Sequence, residues 1–188
     1  MRYLHSATVA VLAAAAILLA GCAGTAPQYQ AANANVQSLS TGTGKVAVGD
    51  VGYGPRGQKL NQLTIRGGNY ESPVEKSWAA YLRDALRAEL VAANRFSQNS
   101  DIVVSGTLLE NELDGFNSGV GSAHISARFA VKRNGLLAYE KTVATDKQWE
   151  SSFIGGIAIP AARQNYVAAM SELLGKLFAD PDFIKAIQ

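Results

Sequence analysis

Few side chains in this chain of 188 residues are equipped for chemistry. There are two histidines, His5 and His124, and one cysteine, Cys22. A Ser-His-acid triad would need one of those histidines, and no G-x-S-x-G elbow is present to hold the serine. Serine–lysine chemistry fails too, because no serine stands three residues ahead of a lysine. Gly42-Thr43-Gly44-Lys45 falls short of a phosphate loop, with Leu39 in place of the earlier glycine and Val46 in place of the following Ser or Thr. Glu110, Glu112 and Asp114 occupy alternate positions of one apparent strand, which puts them on one face about 7 Å apart. A carboxylate trio can bind a hard cation, and a pair at that spacing can cleave a glycosidic bond. Acids near a strand end also serve as plain solvated residues that discourage edge pairing, and that is the reading adopted.

Cys22 is the sharper feature. It follows Arg2 and an apolar run from Ala7 to Ala20, and the last four residues read Leu19-Ala20-Gly21-Cys22. A basic start, an apolar stretch shorter than the roughly 20 residues of a span, and a small-residue end make a secretory signal rather than a membrane helix. The four residues resemble the lipobox of bacterial lipoprotein signal peptides. That resemblance implies removal of residues 1–21, a thioether-linked diacylglycerol on Cys22, and a third acyl chain such as palmitate on its new amino group. Ala23 rather than Asp after the cysteine resembles the pattern sorted to the outer membrane, facing the periplasm. Several acyl chains on one residue anchor stably, since each buried methylene contributes about 0.8 kcal/mol.

Cleavage there changes the chemistry on offer. His5 leaves with the signal, so His124 is the one histidine of the mature chain, and Cys22 is consumed by lipid. No Cys/His nucleophile pair, Cys/His zinc site or intrachain disulfide can then form. His124 falls on the polar side of an alternating strand beside Ser126 and Arg128 and reads as a solvated strand histidine. No catalytic residue, metal or cofactor is expected. The full chain has a net charge of +2, reduced by one with Arg2, and no basic run longer than Lys132-Arg133, so nucleic acid is not an expected partner.

The elements that position these residues are legible from spacing. Ala23 to Gly44 carries no charge and is rich in small polar residues, so residues 22–44 are expected to be a lipidated cysteine and disordered tether, about 25 Å across. Residues 45–188 are expected to form one α+β domain. Lys45 to Val51 opens it as a short strand, with another short one over 60–66. Ser72-Pro73-Val74-Glu75 reads as a capping box opening a helix with a stripe of Val74, Trp78, Leu82, Leu86 and Leu90. Asn94 is its left-handed terminator. Residues 101–113 read as a strand, and Ala123, Ile125, Ala127, Phe129 and Val131 mark the core face of the next. A three-residue Arg133-Asn134-Gly135 loop with Gly135 at positive φ then pairs Val131 with Leu137, Phe129 with Tyr139, Ile125 with Val143 and Arg128 with Glu140. A long helix begins near Pro160, and Asp180-Pro181-Asp182 caps a short last one. The order is β-α-β-β-β-α, a mostly antiparallel sheet with helices packed on one face.

Between sheet and final helix, Ser151 to Pro160 is apolar yet glycine-rich. It either folds over the sheet as core cover or forms an exposed patch for a partner, a lipid or the membrane surface, with Phe153, Ile154, Ile157 and Ile159 its candidate partner-binding residues. Behind a lipobox and tether, this element order, with Asn94-Arg95-Phe96 and Leu177-Phe178-Ala179-Asp180, resembles the YajG-like lipoproteins. Auxiliary lipoproteins of ABC-type transport systems and lipoprotein activators of peptidoglycan synthases share the order. The resemblance implies a non-enzymatic adaptor or accessory subunit of an envelope machine for lipid transport or cell-wall synthesis, with an envelope protein as partner. A small lipid- or glycan-binding module is one alternative; a hydrolase using His124 or the Glu110/Glu112 pair is another.

Overall fold

The computed structural model describes residues 24–115 and 119–188. The signal segment, Cys22 and residues 116–118 lie outside the described residues. The main sheet has the strand order β2-β5-β6-β7, where β2 is Ala47–Tyr53, β5 Ile102–Asp114, β6 Val120–Arg133 and β7 Leu136–Glu150. A second, three-stranded sheet joins β1 (Gly24–Thr25), β4 (Gly68–Glu71) and β3 (Leu63–Ile65). Helix α2 (Trp78–Ala92) lies against β2, and α3 (Gly155–Phe178) lies across β6 and β7. The α+β class and the order β-α-β-β-β-α stand. The β2–β5 pair is parallel while β5-β6-β7 are antiparallel, because α2 crosses over between β2 and β5 and returns the chain in the same direction.

The core face is built as the alternation requires: Ala123, Ile125, Ala127, Phe129 and Val131 are all buried. Against them stand Trp78, Leu82, Leu86 and Leu90 from α2 and Tyr166, Met170, Leu174 and Leu177 from α3. Trp78 is the hub of an aromatic cluster, 4.6 Å from the Tyr166 ring and 5.2 Å from Tyr70.

Several expected boundaries are corrected. Helix α2 does not open at Ser72. Glu75 and Lys76 take φ of +51° and +50°, which no right-handed helix accommodates, and Ser77 becomes the N-cap by accepting from the Ala80 amide. Ser72 instead closes a turn through the Val74 amide at 3.0 Å. The amides of Trp78 and Ala79 are met by Asn61 and Tyr53, partners remote in sequence. At the other end Asn94 does take φ +53°. Helix α3 begins at Gly155, not Pro160: the Ile154 carbonyl already accepts from Ala158, and the helix runs through Pro160. Short α4 (Pro181–Ala186) is capped by Asp180 as expected.

The hairpin register differs as well. Asn134 and Gly135 both have positive φ, +50° and +78°, so the loop is a two-residue primed turn pairing Arg133 with Leu136. The register then shifts at Ala138, giving Val131–Tyr139, Phe129–Lys141, Arg128–Thr142 and Ile125–Thr145. From Tyr139 onward the expected faces survive, because the error there is two residues and a strand repeats every two, whereas Leu137, expected opposite Val131, lies before the bulge opposite Lys132 and is exposed.

The largest correction concerns the tether. Residues 24–44 are not a solvated coil: β1 pairs with β4, and α1 (Asn33–Ser40) packs between α2 and α3 with Leu39 fully buried. Buried Glu89 on α2 accepts from Tyr29 Oη at 2.6 Å, the Ala32 amide at 3.2 Å and Asn35 Nδ2 at 2.8 Å. Burial and the bond to Glu89 drive the Tyr29 hydroxyl's pKa far upward. Arg95, also buried, donates to the carbonyls of Leu39 and Ile187 at 2.8 Å each, and to that of Gly44. Two of those carbonyls sit at the C-terminal ends of α1 and α4, where the helix dipoles favour a cation. Gly42 and Gly44 have a packing reason, since a Cβ would meet Arg95 Nη1 at 2.2 Å or the Ile187 carbonyl at 2.4 Å.

Candidate functional site

The open face of the main sheet gathers the acids and His124. Across β5 and β6, Ser126 lies opposite Glu110, His124 opposite Glu112 and Ser122 opposite Asp114, all sharing one face. The imidazole is held from both sides: Nε2 lies 2.8 Å from Glu110 Oε2 and Nδ1 lies 2.6 Å from Asp146 Oδ1 on β7. The Glu110 and Asp146 carboxylates raise its pKa above 6.5, outweighing partial burial. With a carboxylate on each nitrogen the ring cross-links three strands, and its protonated form is favoured. A general base needs a neutral nitrogen aimed at the proton it removes. Glu112 points away into an ion pair with Arg56 at 2.8 Å, so Glu110 and Glu112 are held by different cations. Among the described residues no group of three His, Cys, Asp or Glu side chains is placed to hold a metal ion.

His124 thus sits on the polar face beside Ser126 and Arg128 as expected, but it is a tied residue rather than a freely solvated one. The sequence reading missed Asp146, because the register chosen for the hairpin put residue 144 opposite His124. The Asn134-Gly135 turn by itself would put Thr145 opposite His124, and the bulge at Ala138 moves the pairing on by one to Asp146.

The second candidate spans the approach to α3 and its first turns. Phe153, Ile154 and Ile157 are 81, 51 and 58 % exposed. Ile159 separates from them: it is half-buried and packs against the core. Two residues of helix turn the chain through about 200°, so Ile157 and Ile159 cannot share a face. Val120, at the start of β6, is 49 % exposed at the same end, where the Ser151 amide donates to the Gly119 carbonyl.

Hollows in the surface lie elsewhere. One of about 290 Å³ is lined by Tyr29, Tyr81, Asp84 and Arg87, one of about 530 Å³ by Arg133, Tyr139, Asp182 and Lys185, and one of about 280 Å³ by Asn61, Tyr70, Glu71 and Lys76. Each has charged walls, and none of these three includes His124.

No family model matches the sequence, and no curated protein matches it. Solved structures do. A crystal structure of a protein from Xanthomonas campestris, described by the family model DUF330, superposes with a TM-score of 0.57 at 13% identity, covering 82% of this chain and 94% of that one. The likeness is one of fold. A minor lipoprotein from Acinetobacter baumannii also matches, with a TM-score of 0.39 at 10% identity, over 71% of this chain and 89% of that one.

Proposed function

We propose that this chain is a lipid-anchored protein of the bacterial cell envelope, held through Cys22 at the periplasmic face of the outer membrane. Its folded body serves an envelope machine, in lipid transport or cell-wall synthesis, as a non-enzymatic adaptor. The observation that carries the reading is Leu19-Ala20-Gly21-Cys22 at the end of an apolar run, two residues ahead of the first strand of the body. Supporting the binding role, the one mature histidine is tied to two carboxylates, and large apolar side chains stand exposed at one end of the molecule. Among the described residues no helix is long and apolar enough to cross a membrane.

The test is Cys22→Ser in the full chain expressed in a two-membrane bacterium fed labelled fatty acid. Loss of label and release from the membrane fraction are expected. A Ser variant that keeps both would overturn the reading.

A further inference from the structure

Val120, Phe153, Ile154 and Ile157 cluster at the end of the molecule where β5 stops, β6 begins, β7 stops and α3 starts. No charged residue occurs between Glu150 and Arg163. Helix α3 opens there without a side-chain cap. Exposed apolar residues grouped in this way mark a surface that meets something other than water.

The course of the N-terminal chain says what that is. Strand β1 runs parallel to β4, with Gly24 opposite Tyr70 and Thr25 opposite Glu71. Gly24, where the described chain begins, stands two residues along β4 from Gly68, which pairs with Ile65 beside the Arg66-Gly67 turn. That turn touches the base of the patch, because Arg66 Nη2 donates to the Ser152 carbonyl at 2.5 Å. Gly24 lies against α3 itself: a Cβ there would meet Arg163 Nη2 at 2.8 Å. Cys22 is two residues further on, and a residue spans at most about 3.6 Å, so its Cα lies within about 7 Å of that of Gly24. The tether that could have let the body swing away is instead folded into it. The other exposed apolar pair, Leu136 and Leu137, is at the opposite end of β6, whose 14 residues at about 3.4 Å each separate the two ends by roughly 45 Å.

We infer that Val120, Phe153, Ile154 and Ile157 rest in the interfacial layer of the same leaflet that holds the Cys22 acyl chains. The body is thereby docked end-on against lipid. The inference rests on the lipid-anchored reading and deepens it by naming the occupant of the apolar patch. Charged residues at this end, Arg66, Arg163, Asp114 and Glu150, carry both signs. The attraction is therefore apolar, and lipids of any headgroup serve. Docking adds the burial of several side chains to the anchoring by acyl chains and fixes which face of the sheet a partner meets.

The test uses the full-length acylated protein carrying Phe153→Cys, or Ile154→Cys as a second site. Thioether formation blocks Cys22, so the added thiol alone takes an environment-sensitive fluorophore. The protein is reconstituted into phosphatidylethanolamine–phosphatidylglycerol vesicles with brominated acyl chains, and Leu136→Cys is the control at the far end. Several-fold stronger quenching at residue 153 or 154 than at residue 136 is expected. Acylated, vesicle-bound protein whose label at 153 and 154 is quenched no more than that at 136 overturns the docking while leaving the anchor intact. A label shielded only when envelope protein is added would reassign the patch to a protein partner. Mass spectrometry showing no acyl chain on Cys22 defeats the anchored reading and the docking with it.

Discussion

His124 shows how a single register decides what a residue can do. On an open strand it would titrate near its ordinary value; between Glu110 and Asp146 it stays charged to higher pH. Because the folded pKa lies above the unfolded one, the stabilisation is complete below about pH 6.5, while the carboxylates remain ionised, and is lost as pH rises through the raised value. Replacing His124 by Gln should therefore lower Tm more at about pH 6 than at about pH 9, as read by thermal melts at the two pH values. Arg95 carries a different load. Each buried carbonyl left without a donor costs about 1–3 kcal/mol, so Arg95→Met should reduce unfolding free energy by about 3 kcal/mol or more in denaturant titrations. Arg95→Lys should restore little, because an ammonium cannot reach three carbonyls as a guanidinium fork does. The candidate acids and His124 were legible in the sequence by strand alternation alone. Their pairing was not, since it depends on bulges at Leu109 and Ala138 that no local motif marks.

At the scale of elements, what could be read from spacing was whatever depends on apolar period. The stripe from Trp78 to Leu90, the core face from Ala123 to Val131 and the Asp180 cap are all in place. What could not be read depends on partners remote in the chain. Asn61 and Tyr53 help to start α2 at Trp78, and Glu89 and Arg95 fold a stretch whose composition has the look of a tether. Low apolar content is a sound argument for disorder only when no buried polar group waits for the segment. Helix α1 gives a direct check. Leu39→Ala removes a fully buried side chain and should cost about 2–5 kcal/mol, measured by equilibrium unfolding, whereas in a free tether it would cost nothing. Hydrogen exchange should likewise show protected amides at Val36, bonded to the Ala32 carbonyl, and at its neighbours in α1.

At the scale of the whole molecule the fold exposes apolar side chains at both ends of β6 and has one open polar face. The folded N-terminal segment puts Gly24 beside Arg163 of α3, two residues after the proposed lipidation at Cys22. Phe153, Ile154 and Ile157 contribute little to the core, so Phe153→Ser with Ile154→Ser should leave unfolding free energy within about 0.5 kcal/mol per substitution. In the proposed docking the open face of the sheet, with its His124 cross-link, looks sideways along the membrane and is left for the proposed envelope partner. All of this hangs on Cys22 being the first residue of the mature protein. The measurement that bears on it most directly is the intact mass and N-terminal peptide of the protein extracted from membranes. The account predicts a chain that begins at Cys22 and carries a diacylglyceryl group with an added acyl chain. A chain that keeps residues 1–21, or one cut elsewhere with an unmodified thiol at Cys22, would contradict it.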